Sequence, residues 1–445
     1  MGNTIFKRKI YDKMLQWKKE SNGESALLVQ GARRIGKSTI VEEFAKREYQ
    51  SYILIDFNKT SAAIKSLFDD LMDLDFLFLQ LQAVYNTPLK ERKSLIVFDE
   101  VQMCPKARQA IKYLVADGRY DYIETGSLIS IRQNTRGITI PSEEDCLDMY
   151  PMDFEEFRWA LGDTSTIPML RTFLDKRMPL GAAHRIKERD LRLYMLIGGM
   201  PQAVNEYIKT NDLAKVDLAK RRIIRLYADD FMKVDPTGRL SRLFLAIPAQ
   251  LSRNISRYFP STVIGKTDDR QEQELVASLE DSKVVLAAYN TNDPNAGMSL
   301  TRDESRYKLF VADTGLFITL AFWDKNFAEN VIYQKLLSDK LDANLGYVYE
   351  NLVAQMLAAS GNKLFYYTFP KDDKHNYEVD FIIARGSKIC PIEVKSSSYK
   401  SHTSLDAFRT KYSSRIDHSY VLYTKDLQRG DNELMYLPIY FTPLL

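Results

Sequence analysis

Residues Gly31-Ala32-Arg33-Arg34-Ile35-Gly36-Lys37-Ser38 constrain this chain more than any other stretch. Their spacing is G-x-x-x-x-G-K-[ST], which works in one local setting, between a buried strand and the start of a helix. The sequence supplies both. Ser25-Ala26-Leu27-Leu28-Val29-Gln30 precedes the loop as a short apolar run, and Thr39 to Lys46 follows it with Ile40, Val41, Phe44 and Ala45 at helical spacing. Glycines let backbone N–H groups curl around a phosphate, and the helix N-terminus adds positive potential. The expected phosphate-binding set is therefore Gly31, Ala32, Arg33, Arg34, Ile35, Gly36, Lys37, Ser38 and Thr39. In this role Lys37 reaches the β- and γ-phosphates and the Ser38 hydroxyl ligates Mg²⁺.

A partner motif follows. Ser94-Leu95-Ile96-Val97-Phe98-Asp99-Glu100 is a buried strand that ends in two carboxylates. Asp99 is expected to hold Mg²⁺ through water, and Glu100 to polarise the attacking water as general base. A solvated acidic turn is the competing reading of the pair taken alone; beside the phosphate loop the hydrolytic reading is preferred. Around the two motifs, apolar strands at 52–57, 95–98 and 120–127 alternate with helices. One helix is expected over 61–85, with Leu67, Leu71, Leu74, Leu77, Leu81 and Val84 as a core stripe. Another runs from Pro105 to Asp117, stopped by Gly118. This alternation predicts an α/β fold with a parallel sheet that binds ligands at the carboxyl ends of its strands. Ahead of it, residues 5–20 read as an amphipathic helix.

Composition excludes several classes. At 445 residues the chain should hold about three domains. A net charge of +3 gives no global case for nucleic acid or membrane, so any such case is local. Cys104, Cys146 and Cys390 are far apart and form no C-x-x-C, which argues against a disulfide framework and fits a reducing cytoplasm. Four histidines are too few for a histidine-rich metal site. No apolar run has the roughly eighteen residues of a membrane span, and Met1 to Lys9 lacks a signal-peptide core.

The loop, the strand Leu95–Glu100, Thr125-Gly126-Ser127, Tyr150-Pro151-Met152-Asp153-Phe154-Glu155-Glu156-Phe157 and Gly198-Gly199-Met200-Pro201 together resemble one prokaryotic family. It is the AAA-type P-loop ATPases with a C-terminal domain of unknown function and restriction-nuclease-like fold. The resemblance covers nearly the whole chain. It implies ATP with Mg²⁺ as cofactors, ATP rather than GTP, and a γ-phosphate-sensing polar residue at the strand end, for which Thr125 and Ser127 qualify. One departure stands out. Many members carry a Gly-Arg pair before the Pro-x-x-Phe segment, and here the stretch reads Pro141-Ser142-Glu143-Glu144-Asp145, with Arg132 and Arg136 as nearby substitutes.

Residues 211–260 hold ten Lys or Arg against five Asp, a local +5 that is either a nucleic-acid footprint or a set of solvated helix faces. Residues 238–311 fit a winged-helix outline: a helix at 239–258, a short one near 262, another at 270–282, and wing strands Val284–Tyr289 and Tyr307–Val311. The third helix opposes DNA reading. From 268 to 281 there are six acids and one base, so it is expected to pack on protein.

A second constellation lies near the C-terminus. Tyr377-Glu378-Val379-Asp380 and Ile392-Glu393-Val394-Lys395 resemble the PD-(D/E)XK nuclease signature. Alternation puts Glu393 and Lys395 on one face of their strand. Asp380 and Glu393 would hold Mg²⁺ beside a phosphate, with Lys395 orienting water or stabilising charge. The nuclease-fold resemblance adds Glu350, from a preceding helix, as a third metal ligand. The expected domains are an AAA-type P-loop ATPase domain at 1–160, a helical connector at 161–237, a winged-helix-like domain at 238–312 and a nuclease-like α/β domain at 313–445. Expected partners are ATP, DNA, and a second copy or another protein, with no membrane. Two functions fit: an ATPase coupled to a Mg-dependent DNA-processing domain, and an ATP-driven switch whose nuclease-like domain binds partners without cleavage.

Overall fold

The computed structural model describes residues 4–127, 141–253, 255–324, 331–338, 346–396, 401–430 and 433–445. The chain forms two compact units, one spanning Met1–Tyr150 with Asp281–Lys283, the other Pro151–Glu280 with Val284–Leu445. Arg132 and Arg136 lie outside the described residues.

The first unit is built on five strands: β1 Ala26–Gln30, β2 Ser51–Asp56, β3 Ser94–Asp99, β4 Asp121–Gly126 and β5 Glu144–Asp148. Their order is β2-β3-β4-β1-β5, and every pair is parallel. β4 therefore lies between the strand that feeds the phosphate loop and the strand that ends in Asp99. Helix Pro105–Asp117 has the bounds expected from sequence and ends at Gly118, whose φ of +75° is left-handed. Its apolar face joins Ile96, Phe98 and Tyr122 in a core with Leu77 and Leu81 of helix Leu74–Tyr85.

One expectation is corrected here, and one strand is added that no expectation covered. The single helix over 61–85 is two, Ala62–Ser66 and Leu74–Tyr85. Asp73 accepts a hydrogen bond from the Phe76 N–H, an N-cap that starts a new helix, and Val84 faces outward rather than joining the stripe. Strand β5 has no apolar alternation to announce it. It is fixed instead by charge: the Arg108 guanidinium donates to both Glu144 oxygens, at 3.2 and 2.8 Å, and both side chains are buried.

The second unit carries an eight-stranded mixed sheet. Its strands are β6 Val285–Thr291, β7 Arg302–Val311, β8 Phe365–Pro370, β9 Asn376–Arg385, β10 Lys388–Val394, β11 Ser419–Tyr423, β12 Gln428–Arg429 and β13 Leu434–Pro438. The order is β12-β13-β11-β10-β9-β8-β6-β7. The two strands expected as wings are thus one edge of the C-terminal sheet, because β6 pairs in parallel with β8. Sequence pattern marks a strand but not its neighbour.

The acidic helix Asp269–Asp281 packs on that edge, as its charge predicted. The Tyr307 hydroxyl donates to Glu272 at 2.7 Å and that of Tyr289 to Glu280 at 2.6 Å. The helix expected at 239–258 is broken into Arg239–Leu245 and Ile247–Leu251, with Pro248 in the first turn of the second. The two family-like segments form one packed unit. Gly199 accepts from the Met152 N–H at 2.7 Å, and a Cβ on Gly199 would lie 1.9 Å from the Met152 carbonyl oxygen. Asp153 and Glu156 make a reciprocal capping box on helix Phe154–Ala160.

Candidate nucleotide site and C-terminal carboxylate cluster

The phosphate loop runs from the end of β1 into helix Lys37–Glu48. Its geometry depends on left-handed backbone. Gly36 has φ +96°, and Arg34, a non-glycine, has φ +67°. Gly31 cannot carry a side chain, since a Cβ there would meet the Met149 carbonyl oxygen at 2.3 Å. Ala32 and Ile35 are buried, whereas Arg34 and Thr39 are exposed. From behind, the buried Arg8 donates to the Ile35 carbonyl at 2.8 Å and to the Tyr150 carbonyl at 2.6 Å. Arg8 precedes the first helix, Ile10–Ser21, and nothing in its spacing signals this role.

Lys37 folds back over the loop. Its ammonium donates to the carbonyls of Gly31 at 3.0 Å and Ala32 at 2.8 Å. Burial pulls its pKa down to about 8, against the opposing pull of Glu100 and Asp99. The Ser38 hydroxyl donates to Asp99 Oδ1 at 2.7 Å, and the Thr125 hydroxyl donates to the same oxygen. The Glu100 N–H in turn donates to Thr125 Oγ1 at 3.2 Å. Ser38, Asp99, Glu100 and Thr125, 87 positions apart at the extremes of the sequence, thus meet at the carboxyl ends of β3 and β4. Glu100 has φ +55°, a conformation that a glutamate adopts at a cost of order 1–3 kcal/mol and that clusters at functional sites. The Gln102 amide donates to its Oε2. Gln102 was not singled out from sequence; its only signal is a polar residue two positions after the acid. A hydroxyl and a carboxylate oxygen converging at one point are a donor set that suits Mg²⁺.

The second constellation is assembled on the face of β9 and β10. Glu350 enters from helix Gly346–Ala359. Its carboxylate, and that of Glu378, each receive the Lys308 ammonium at 2.6 Å. Lys308 lies on β7 and is buried. Burial acts to strip its proton, but Glu350, Glu378 and Asp380 outweigh this and hold its pKa well above the ordinary lysine value. Asp380 Oδ2 accepts from the Val394 N–H at 2.7 Å. Burial, then the charges of Glu393 and Glu350, push the Asp380 carboxyl well above the usual carboxylate range. Glu393 pairs with Lys395 at 2.6 Å, and burial raises its pKa as well.

The three expected metal ligands thus have separate partners: Glu350 an ammonium, Asp380 a backbone N–H, Glu393 the ammonium of Lys395. Among the described residues no group of three or more His, Cys, Asp or Glu is placed to hold a metal ion. Lys308, on a strand expected as a wing, reaches this cluster because β7 is an edge strand of the same sheet.

The basic run at 211–260 is partly internal. Lys220 is fully buried and donates to the carbonyls of Leu196 and Gly315, and Arg221 pairs with Asp217 at 2.7 Å. The surface charge is smaller than the count implied. Among the described residues no helix is long and apolar enough to cross a membrane.

Residues 23–158 match a family model described as an AAA domain. Residues 188–326 and 345–441 match two domains of unknown function. The first unit therefore contains an AAA-type ATPase domain. No curated protein matches the chain. Among solved structures it is similar to the Walker-type ATPase of Pyrococcus abyssi, at 17% identity over 71% of this chain and 96% of that one, with a TM-score of 0.41. It is also similar to the Orc1 protein of Aeropyrum pernix, solved in complex with DNA, at 10% identity over 72% and 94%, with a TM-score of 0.28. A third is a signal-transduction ATPase with a tetratricopeptide-repeat sensor from Pyrococcus horikoshii, at 11% identity over 81% and 50%, with a TM-score of 0.29. At these scores none of the three carries weight for the fold; sheet order and loop geometry do.

Proposed function

We propose that this chain binds and hydrolyses ATP with Mg²⁺ in its first unit, and uses nucleotide state to control what its second unit engages. The observation that carries the reading is the convergence of Ser38 and Thr125 on one oxygen of Asp99, beside Glu100 and near enough to Lys37 for both acids to act on its charge. The chemistry of each residue follows. Lys37 leaves the Gly31 and Ala32 carbonyls for the β- and γ-phosphates, exchanging neutral acceptors for charged ones. Ser38 and Asp99 hold the metal, which when bound neutralises charge on the phosphate oxygens. Glu100, kept in place by Gln102 and by its backbone bond to Thr125, takes the proton of the attacking water. Thr125 ties the end of β4 to both acids and so suits a residue that registers the γ-phosphate.

For the second unit two readings compete. One couples ATP to DNA cleavage through Asp380, Glu393 and Lys395. The other is a switch that engages DNA or a protein partner without cleavage. The Lys308 ammonium on Glu350 and Glu378 favours the switch.

The test is ATP turnover and nucleotide binding in Glu100→Gln, alongside cleavage of plasmid, linear and branched DNA with Mg²⁺ or Mn²⁺, with Lys395→Ala as control. Retained binding with lost turnover supports the hydrolytic role of Glu100; unchanged turnover removes it. Cleavage that disappears in Lys395→Ala would restore the nuclease reading.

A further inference from the structure

The carboxylates of the C-terminal cluster need a cation or a proton, and the chain contains a cation. Glu378 and Asp380 alternate onto one face of β9, Glu350 approaches from the helix, and Glu393 lies on the adjacent strand β10. Carboxylates crowded at partial burial need either a compensating positive charge or a bound proton. In a metal-dependent site a divalent ion provides the charge. Here Lys308 reaches in from β7, two strands beyond β8 in the sheet, and places its ammonium 2.6 Å from both Glu350 and Glu378.

We infer that Lys308 is the resident cation of this cluster: its ammonium occupies Glu350, the helix acid expected as a metal ligand, together with Glu378, and so competes with a divalent metal for the cluster. Three observations carry it. Lys308 is among the buried charged residues of the chain, with only 5% of its side chain exposed. Its two short contacts tie a β7 side chain to the helix and to β9, two of the three elements that would have to present metal ligands. No group of three or more His, Cys, Asp or Glu among the described residues is arranged for a metal. A tethered ammonium offers no open coordination position and cannot polarise a bound water as a divalent ion does. The charge of Glu350 and Glu378 is therefore balanced from within the chain. This rests on the resemblance of Asp380, Glu393 and Lys395 to that signature, not on the ATPase reading, and the two are tested apart.

The experiment is Mn²⁺ binding, followed by paramagnetic resonance, to the nucleotide-free full chain. Wild type and Asp380→Asn should bind Mn²⁺ indistinguishably, because Asp380 ligates no metal in either. Lys308→Met should expose the carboxylates and create one added Mn²⁺ site, tighter than any in wild type by at least about tenfold, a gain that the double variant Lys308→Met/Asp380→Asn loses. In Lys308→Met, Mn²⁺ should also raise the thermal midpoint, which it should not do in wild type. Mn²⁺ bound by wild type and lost in Asp380→Asn would overturn the inference. So would a folded Lys308→Met that gains no site. If Lys308→Met fails to fold, the comparison of wild type with Asp380→Asn still decides.

Discussion

The carboxylate at the end of β3 meets two hydroxyls, whereas two of those around β9 meet an ammonium. Asp99 receives Ser38 and Thr125, groups that can rearrange to share a metal, and it sits at the mouth of a loop shaped for phosphate. Glu350 and Glu378 receive Lys308, a charge fixed by its own strand. On the proposed function, the first arrangement leaves the cation to be delivered with the nucleotide, whereas on the inference above the second supplies it from Lys308. Acid residues at strand ends therefore do not by themselves identify a metal site. What decides is which donors face them.

Several measurements break or sharpen this contrast. The largest expected effect is at Glu100. Glu100→Gln should keep ATP binding and slow hydrolysis by roughly 10²–10⁴-fold, the usual worth of a general base; steady-state turnover measures it. At the other site, Lys308→Met should destabilise the protein by about 3–5 kcal/mol, because it leaves Glu350 and Glu378 crowded without their partner. Denaturant unfolding reads this, and a loss below 1 kcal/mol would mean that the cluster does not depend on the ammonium. Lys37→Ala should weaken ATP binding roughly ten- to a hundredfold, the range of a charge-assisted hydrogen bond, as seen by calorimetry.

The pH dependence is smaller and has a definite sign. Lys37 in the free protein sits at about 8, lowered from 10.5 by burial, and phosphate restores its proton. ATP affinity should therefore be flat below about 8 and fall above it, by at most about tenfold per pH unit. In the free protein the unfolded chain binds the extra proton between about 8 and 10.5, so the Lys37 contribution to stability rises with pH across that window. The Lys37→Ala variant should lose both trends.

Much of the first unit was legible in the sequence because its signals are local. The loop fixes nine consecutive residues, β3 announces itself by four apolar residues before Asp99, and Pro105 and Gly118 bracket their helix to the residue. Strand β5 was not legible, since Glu144-Asp145-Cys146-Leu147-Asp148 has no β alternation and is held by Arg108, 36 positions away. The break at residues 67–73 was hidden because leucines continue at helical spacing through it, while Asp73 caps a fresh helix. The second unit was legible residue by residue but not in its pairings. Glu350, Asp380, Glu393 and Lys395 were each singled out, yet Lys308 lies 42 positions from Glu350 and 70 from Glu378. No local pattern couples them. The same limit placed β6 and β7 in a separate wing rather than on the edge of the C-terminal sheet.

The contrast is tested most directly by counting metal. Mn²⁺ stoichiometry would be measured on the full chain saturated with a non-hydrolysable ATP analogue, in wild type, Asp99→Asn and Asp380→Asn. One tightly bound ion per chain is expected, lost in Asp99→Asn and kept in Asp380→Asn. Two ions in wild type, or one ion lost in Asp380→Asn and kept in Asp99→Asn, would contradict the account.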